Sequence, residues 1–161
     1  MLNATGVLSS PHVQIRTYHG LDVANLCGTP APTLEELRRV RAEYELVLGP
    51  AFEDLFAVAT DVQGAFDTRD AWPQAKLLCG RGVDGADRVL SNWLAEQVVV
   101  GRFNRVIIGS GDHFFAMTAR RLRIAGLEVG IVCRAGSLHR SLGREASWIL
   151  PLARAVAVES A

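Results

Sequence analysis

Arg105-Val106-Ile107-Ile108-Gly109-Ser110-Gly111-Asp112-His113-Phe114-Phe115 is the stretch on which the reading of this chain turns. A short β-branched run breaks into Gly-Ser-Gly, then an aspartate, then apolar residues at helical spacing (Phe115, Met117 or Thr118, Leu122), which predicts buried strand, tight turn and helix. In an open parallel sheet, ligands gather outside the carboxyl ends of the strands, where such turns lie. Asp112 is therefore placed where chemistry is expected.

The flanking sequence repeats the same alternation. On the amino-terminal side, Val13, Ile15, Thr17 and Tyr18 predict a strand running to about Asp22, followed by a loop rich in glycine and proline. Thr33 with Glu36 three residues on has capping-box spacing, and Leu34, Leu37, Val40, Tyr44 and Val47 follow as a helical stripe that Gly49-Pro50 ends. Asp54–Val62 and Ala75–Cys79 read as strands two and three. Gly80-Arg81-Gly82 turns into a helix over Asp84–Val100, with Leu90, Trp93, Leu94 and Val98 inward. Beyond the quoted turn, a helix runs to Ala125 and stops at Gly126. Leu127–Cys133 is a fifth strand, Ser137–Glu145 a short helix, and Ser147–Leu150 a last strand against Pro151. Strands alternating with helices of this length predict a mostly parallel sheet covered by helices on both faces.

Composition narrows the partners. The chain has 161 residues, 49% hydrophobic and 21% charged, enough for one substantial core. Residues 1–12 read as a tail, 13–152 as the domain and 153–161 as a second tail. Seventeen basic residues balance seventeen acidic ones, so any contact with nucleic acid must come from a local patch. The three cysteines, Cys27, Cys79 and Cys133, lack a C-x-x-C spacing and read as buried thiols of a reducing compartment. With no leader-like amino terminus and no membrane-length apolar stretch, the expectation is a cytoplasmic protein.

Asp22 ends the first strand, Asp84 and Asp87 follow the third, and Asp112 follows the fourth, so all four belong to one rim of the sheet whatever the strand order. Carboxylates gathered without matching lysines repel one another, and a divalent cation is the usual remedy. Hard oxygen ligands suit magnesium or manganese.

Leu21-Asp22-Val23-Ala24-Asn25-Leu26, Gly82-Val83-Asp84-Gly85-Ala86-Asp87, Ile107-Ile108-Gly109-Ser110-Gly111-Asp112 and Arg134-Ala135-Gly136-Ser137-Leu138 through Leu142 together resemble the NYN domain, a family of the PIN-like metal-dependent ribonucleases. The resemblance spans roughly residues 13–152. It implies a three-layer PIN-like α/β domain with a mostly parallel central sheet, and a metal-dependent endoribonuclease activity in which magnesium or manganese activates water against an RNA phosphodiester. By position, Asp22 matches the first-strand aspartate, Asn25 the asparagine three residues on, Asp84 the mid-chain acid and Asp112 the acid of the Ser-Gly-Asp turn. Asp22, Asp84 and Asp112 are then the catalytic set, and Asp87 joins them as a metal ligand. The family commonly has Ser-Gly-Asp-x-Asp-Phe at the turn, whereas Phe114 stands here where the second acid falls. One ion, slow catalysis or none are the outcomes this departure leaves open, and a non-cutting RNA-binding or regulatory domain is the alternative function.

Each candidate also has a plainer role. Asp112 and Asp84 precede helices, where aspartate is most often a cap. Asp87 can serve the first turn of its helix, Asn25 with Asp22 an Asx-type turn, and Ser110 a turn position. His113 could lend an imidazole but sits beside Asp112 rather than across from it. Gly109-Ser110-Gly111 is half of a dinucleotide fingerprint without its third glycine. Arg120, Arg121 and Arg123 read as a solvated helix face. Arg134, His139, Arg140 and Arg144 are better placed, with Arg134 on the rim and Ser137 expected to open a helix whose free amides favour a phosphate. The sequence leaves the oligomeric state open, a homo-oligomer included.

Overall fold

The strand-like runs become six strands in a computed structural model that describes residues 15–98 and 101–153: β1 (Thr17–Asp22), β2 (Leu55–Asp61), β3 (Lys76–Gly80), β4 (Arg105–Gly109), β5 (Glu128–Arg134) and β6 (Trp148–Leu152). They form one sheet in the order β3-β2-β1-β4-β5-β6, with every neighbouring pair parallel. The helices are α1 (Val23–Cys27), α2 (Leu34–Leu48), α3 (Ala65–Ala71), α4 (Gly85–Val98), α5 (Ala116–Ile124) and α6 (Arg140–Gly143). This is the three-layer α/β class expected, with the sheet wholly parallel. The tails expected at 1–12 and 153–161 lie outside the described residues except for Ala153, as do Val13 and Gln14.

Two hydrophobic layers cover the sheet. On one face, Leu90 and Leu94 of α4, Ala119 and Leu122 of α5 and Leu142 of α6 pack with Phe115 on Ala57, Ala59, Val106, Ile108, Val129 and Ile131. On the other, Val23 and Leu26 of α1, Leu37 and Tyr44 of α2, and Ala71 and Trp72 pack on Leu21, Val58, Ile107 and Val132. Alternate residues of β2 and β4 serve opposite layers, as the two-residue period of a strand demands. Each fully buried Leu, Ile or Phe removes enough apolar surface from water to contribute about 1.5–3 kcal/mol.

The order of connection places the site. Chain from β1 steps outward to β2 and β3 under α2 and α3, then returns beneath α4 to β4 and steps the other way to β5 and β6. The direction reverses between β1 and β4, which are paired through Leu21 and Gly109. At such a reversal the loops leave in opposite directions and a crevice opens outside the carboxyl ends. Asp22 closes β1 and Ser110-Gly111-Asp112 follows β4.

Several expected elements differ in extent. The loop expected after Asp22 begins with the five-residue helix α1, capped by Asp22 itself, whose side chain accepts from the Asn25 amide. Helix α3 arises in a stretch with no apolar stripe, held by burial of Thr68 and Ala71 alone. The capping box at Thr33 and Glu36 forms in both directions. The helix expected from Ser137 to Glu145 is only α6, capped by His139; Ser137 instead donates its hydroxyl to the Arg134 carbonyl at 2.7 Å and closes a turn. Strand β6 continues through Pro151, which an edge strand tolerates because no ladder amide is lost on its outer side. All three cysteines are free thiols, but only Cys133 is buried: Cys27 is half-buried in α1 and Cys79 is exposed on edge strand β3. No helix among the described residues is long and apolar enough to cross a membrane.

Candidate functional site: an acidic rim at the sheet reversal

Asp22 is the most buried acid of the rim, 6% exposed at the end of a central strand. Its Oδ1 accepts from the Asn25 amide at 3.2 Å and its Oδ2 from the Ser110 hydroxyl at 3.3 Å. The fully buried Ser110 in turn accepts from the Asp112 amide at 3.2 Å, so one side chain connects the β1 acid to the β4 turn. Burial pushes the Asp22 carboxyl up to about 7, and hydrogen bonds from Asn25 and Ser110 offset only part of that. The charge of the neighbouring Asp87 raises it further. Two acids that act on each other in this way titrate as a linked pair.

Asp87 reaches this position from the first turn of α4. Its own carboxyl is raised, first by burial and then by the charge of Asp112, with Asp84 adding a smaller push and His113 opposing it. Asp112 and Asp84 thus act on Asp87, and Asp87 on Asp22; of Asp84 and Asp87, between which the sequence does not choose, Asp87 is the one whose charge reaches Asp22. Asp84 sits at the turn before α4 with φ of 53°, a left-handed conformation that aspartate adopts more readily than most residues. Asp112 keeps its plainer role as well. Its Oδ1 accepts from the Phe114 amide at 2.8 Å and lies 3.0 Å from His113 Nδ1, capping the 3₁₀ turn His113–Phe115.

The remaining candidates divide by location. The Asn25 side chain does not touch Asp22; its Oδ1 accepts from the Gly111 amide at 2.9 Å, tying α1 to the acid turn. Gly111 has no room for a side chain, because a Cβ there would collide with the Ser137 carbonyl, and its own carbonyl accepts from the His139 amide at 2.8 Å. These contacts seat the Arg134–His139 turn on the acid turn. Arg134 closes β5 on the same rim, and the His139 ring lies 5.3 Å from the exposed ring of His113. Arg140 is exposed at the start of α6, whose four residues are too few for the anion-binding amide cluster expected there. Phe114 is half-buried, its ring edge-on to Phe115 at 5.9 Å.

The chemistry of the donors suits a weakly held hard cation. Among the described residues, no three His, Cys, Asp or Glu side chains converge as a metal-holding group. The charge of Asp87 reaches the buried Asp22, and those of Asp112 and Asp84 reach Asp87. Magnesium and manganese take oxygen ligands, and magnesium commonly uses only one or two carboxylates with water completing the shell. The donor set therefore fits a largely hydrated ion.

Sequence reading passed over one polar cluster. His19 is buried in β1, stacked on Phe56 at 4.2 Å, hydrogen-bonded to the Tyr44 hydroxyl at 2.7 Å and 3.3 Å from Asp54. Burial lowers its imidazole to about 4, with Asp54 pulling the other way. Only the alternation of His19 with Leu21 and Tyr18 in a buried strand could have marked it. The cluster borders a cavity of about 670 Å³ at the amino ends of β1–β3, walled by Phe52, Leu55 and Trp93, far from the acids.

No family model matches the chain, and no curated protein matches it in sequence. Among solved structures, a protein of unknown function from Vibrio parahaemolyticus RIMD 2210633 has a similar fold, with a TM-score of 0.60 over 86% of this chain and 92% of that one. At 15% identity the likeness is one of fold.

Proposed function

We propose that this is a NYN-type, PIN-like domain whose acidic rim hydrolyses RNA phosphodiesters with the help of magnesium or manganese. The observation that carries the reading is Asp22, a carboxyl buried at the sheet reversal and braced by Ser110, with Asp87 near enough to raise it further. A carboxyl is seldom buried with another acid beside it, because burial and the second charge both raise the cost of ionising it. Such pairs cluster where a metal or a proton is handled.

Asp22 and Asp87 would hold the ion, with Asp112 and Asp84 acting through its water. A bound ion of this kind supplies an activated water and stabilises charge developing on the phosphate. The protein's part is positioning. Ser110 and the Asn25 amide aim the two oxygens of Asp22, and the Asn25 side chain holds the Gly111 amide so that Asp112 faces the same crevice. Without the ion, the carboxyl pair keeps a proton near neutral pH and carries less charge than its composition implies. Arg134 on the rim offsets repulsion between the acids and an incoming phosphate.

A second reading is favoured by Phe114 and by the lack of three converging ligands among the described residues. It is an RNA-binding or regulatory domain that does not cut. Cleavage of single-stranded and structured RNA with manganese separates the two. The nuclease reading expects slow, manganese-favouring turnover that Asp22→Asn abolishes and Phe114→Asp raises. If wild type and Phe114→Asp are both inert while RNA binding persists, the non-cutting reading replaces it.

A further inference from the structure

Arg134 is the last residue of β5, and its backbone is fixed: Ser137 donates both its hydroxyl and its amide to the Arg134 carbonyl, at 2.7 and 3.0 Å. The side chain is left with an orphaned donor. Its Nε–H is out of contact with solvent and has no hydrogen-bond partner, and the guanidinium makes no ion pair within 4.0 Å among the described residues. None of the five ion pairs among the described residues involves Arg134, so no acid directly opposes the charge of this rim cation. A buried donor without an acceptor is costly, so this arrangement persists only where the surroundings impose it or a ligand relieves it.

The guanidinium lies against Gly28, at the end of α1. Gly28 has φ of +75°, and a Cβ placed on it would come within 2.6 Å of Arg134 Cζ and Nε. Glycine is thus needed twice, for the left-handed turn and for the approach of the arginine. Beside this contact lies an open cleft of about 290 Å³, lined by Asp22, Asn25, Gly28, Thr29, Pro30 and Arg134. Its size suits a fragment such as a phosphoryl group rather than a large apolar ligand.

We infer that the cleft lined by Arg134, Gly28 and Thr29 is a phosphate subsite, taking the backbone phosphate of an RNA strand that neighbours the one presented to Asp22. A guanidinium offers a planar fork of donors that matches phosphate oxygens, and Thr29 in the same lining carries a further hydroxyl. The inference rests on the proposed function for the identity of the ligand, since free phosphate carries the same chemistry. It adds direction to that reading. A strand anchored at Arg134 and presented at Asp22 runs from the β5 end of the crevice towards β1.

The test follows the Arg134 Nε–H resonance by NMR in metal-free protein with chelator present, titrated with inorganic phosphate and then with a single-stranded decaribonucleotide. Both probes should shift that resonance, and Arg134→Gln should weaken decaribonucleotide binding by about tenfold or more, the worth of a charge-assisted pair. Gly28→Ala, which displaces the guanidinium, should weaken it as well, while Arg134→Lys retains part of it. A shift with inorganic phosphate but none with RNA would leave an anion site and overturn the RNA assignment. No shift with either probe, or equal weakening by Arg134→Gln and Arg120→Ala, would overturn the subsite. Failure of the nuclease reading is separate: a moving Arg134 resonance without manganese-dependent cleavage sinks that reading and leaves the subsite standing.

Discussion

Replacing Asp22 by asparagine should stabilise the fold at alkaline pH, although the residue is buried and hydrogen-bonded. The carboxyl is displaced from its ordinary 3.8 to about 7. Its folded form therefore binds the proton more tightly than the unfolded chain does, so the stability it confers is complete below about 3.8 and is lost as pH rises through about 7. At about 1.4 kcal/mol per pH unit the whole window is worth about 4 kcal/mol, and the part between pH 5 and pH 8 about 3 kcal/mol. That figure belongs to Asp22 and Asp87 together, since the protonation of one depends on that of the other. Asparagine can still accept from the Asn25 amide and can donate to Asp87 and to the Ser110 oxygen, so the geometry survives without the titration. Urea denaturation of both proteins at pH 5 and pH 8 measures the effect. His19 also titrates in this range, but equally in the two proteins, and cancels in their difference. Relative to Asp22→Asn, wild type should lose about 3 kcal/mol on going from pH 5 to pH 8. Parallel pH profiles would refute the buried, linked pair.

Three further outcomes follow from single contacts. Asn25→Ala leaves the buried-side amide of Gly111 without its acceptor and should cost about 1–3 kcal/mol, with faster hydrogen exchange at Gly111 as the local signature. Gly111→Ala drives a methyl into the Ser137 carbonyl; a loss of about 1–3 kcal/mol in denaturant melts, with chemical-shift changes concentrated at 134–139, is expected. On the acid side, His19 lowered to about 4 confers stability that is complete above about 6.5 and lost as pH falls through about 4. Wild type should therefore weaken by about 3 kcal/mol across that window, and His19→Gln should flatten this limb.

The layers of the fold were legible because they depend on period. Buried β-branched runs and the stripe Leu34–Leu37–Tyr44 report their own environment within a few residues of chain. Helices α1 and α3 escaped because five and seven residues are too short to show a stripe, and their burial is decided by the sheet beneath them. The rim was legible in outline, since β–α alternation sends every strand's carboxyl end to one side. Which acid meets Asp22 was not. Asp84 and Asp87 are three residues apart and share a side of the helix start, and the choice falls to Asp87 because Asp84 is spent in a left-handed turn before the helix begins.

Gly111 shows the same limit more sharply. In the sequence it reads as a turn glycine, chosen for its backbone freedom. In the structure it has no positive φ; it is glycine because the Ser137 carbonyl occupies the place of a Cβ. That contact joins residues 26 positions apart, and no local pattern encodes it. Yet it brings Arg134 and the acids to one crevice, so the charge balance of the site depends on a missing methyl group as much as on any charged side chain. A family resemblance carried by the acids alone says nothing about that joint. The chemistry proposed for the rim therefore stands or falls with Gly111, Asn25 and Ser110, the uncharged residues that hold the two turns together.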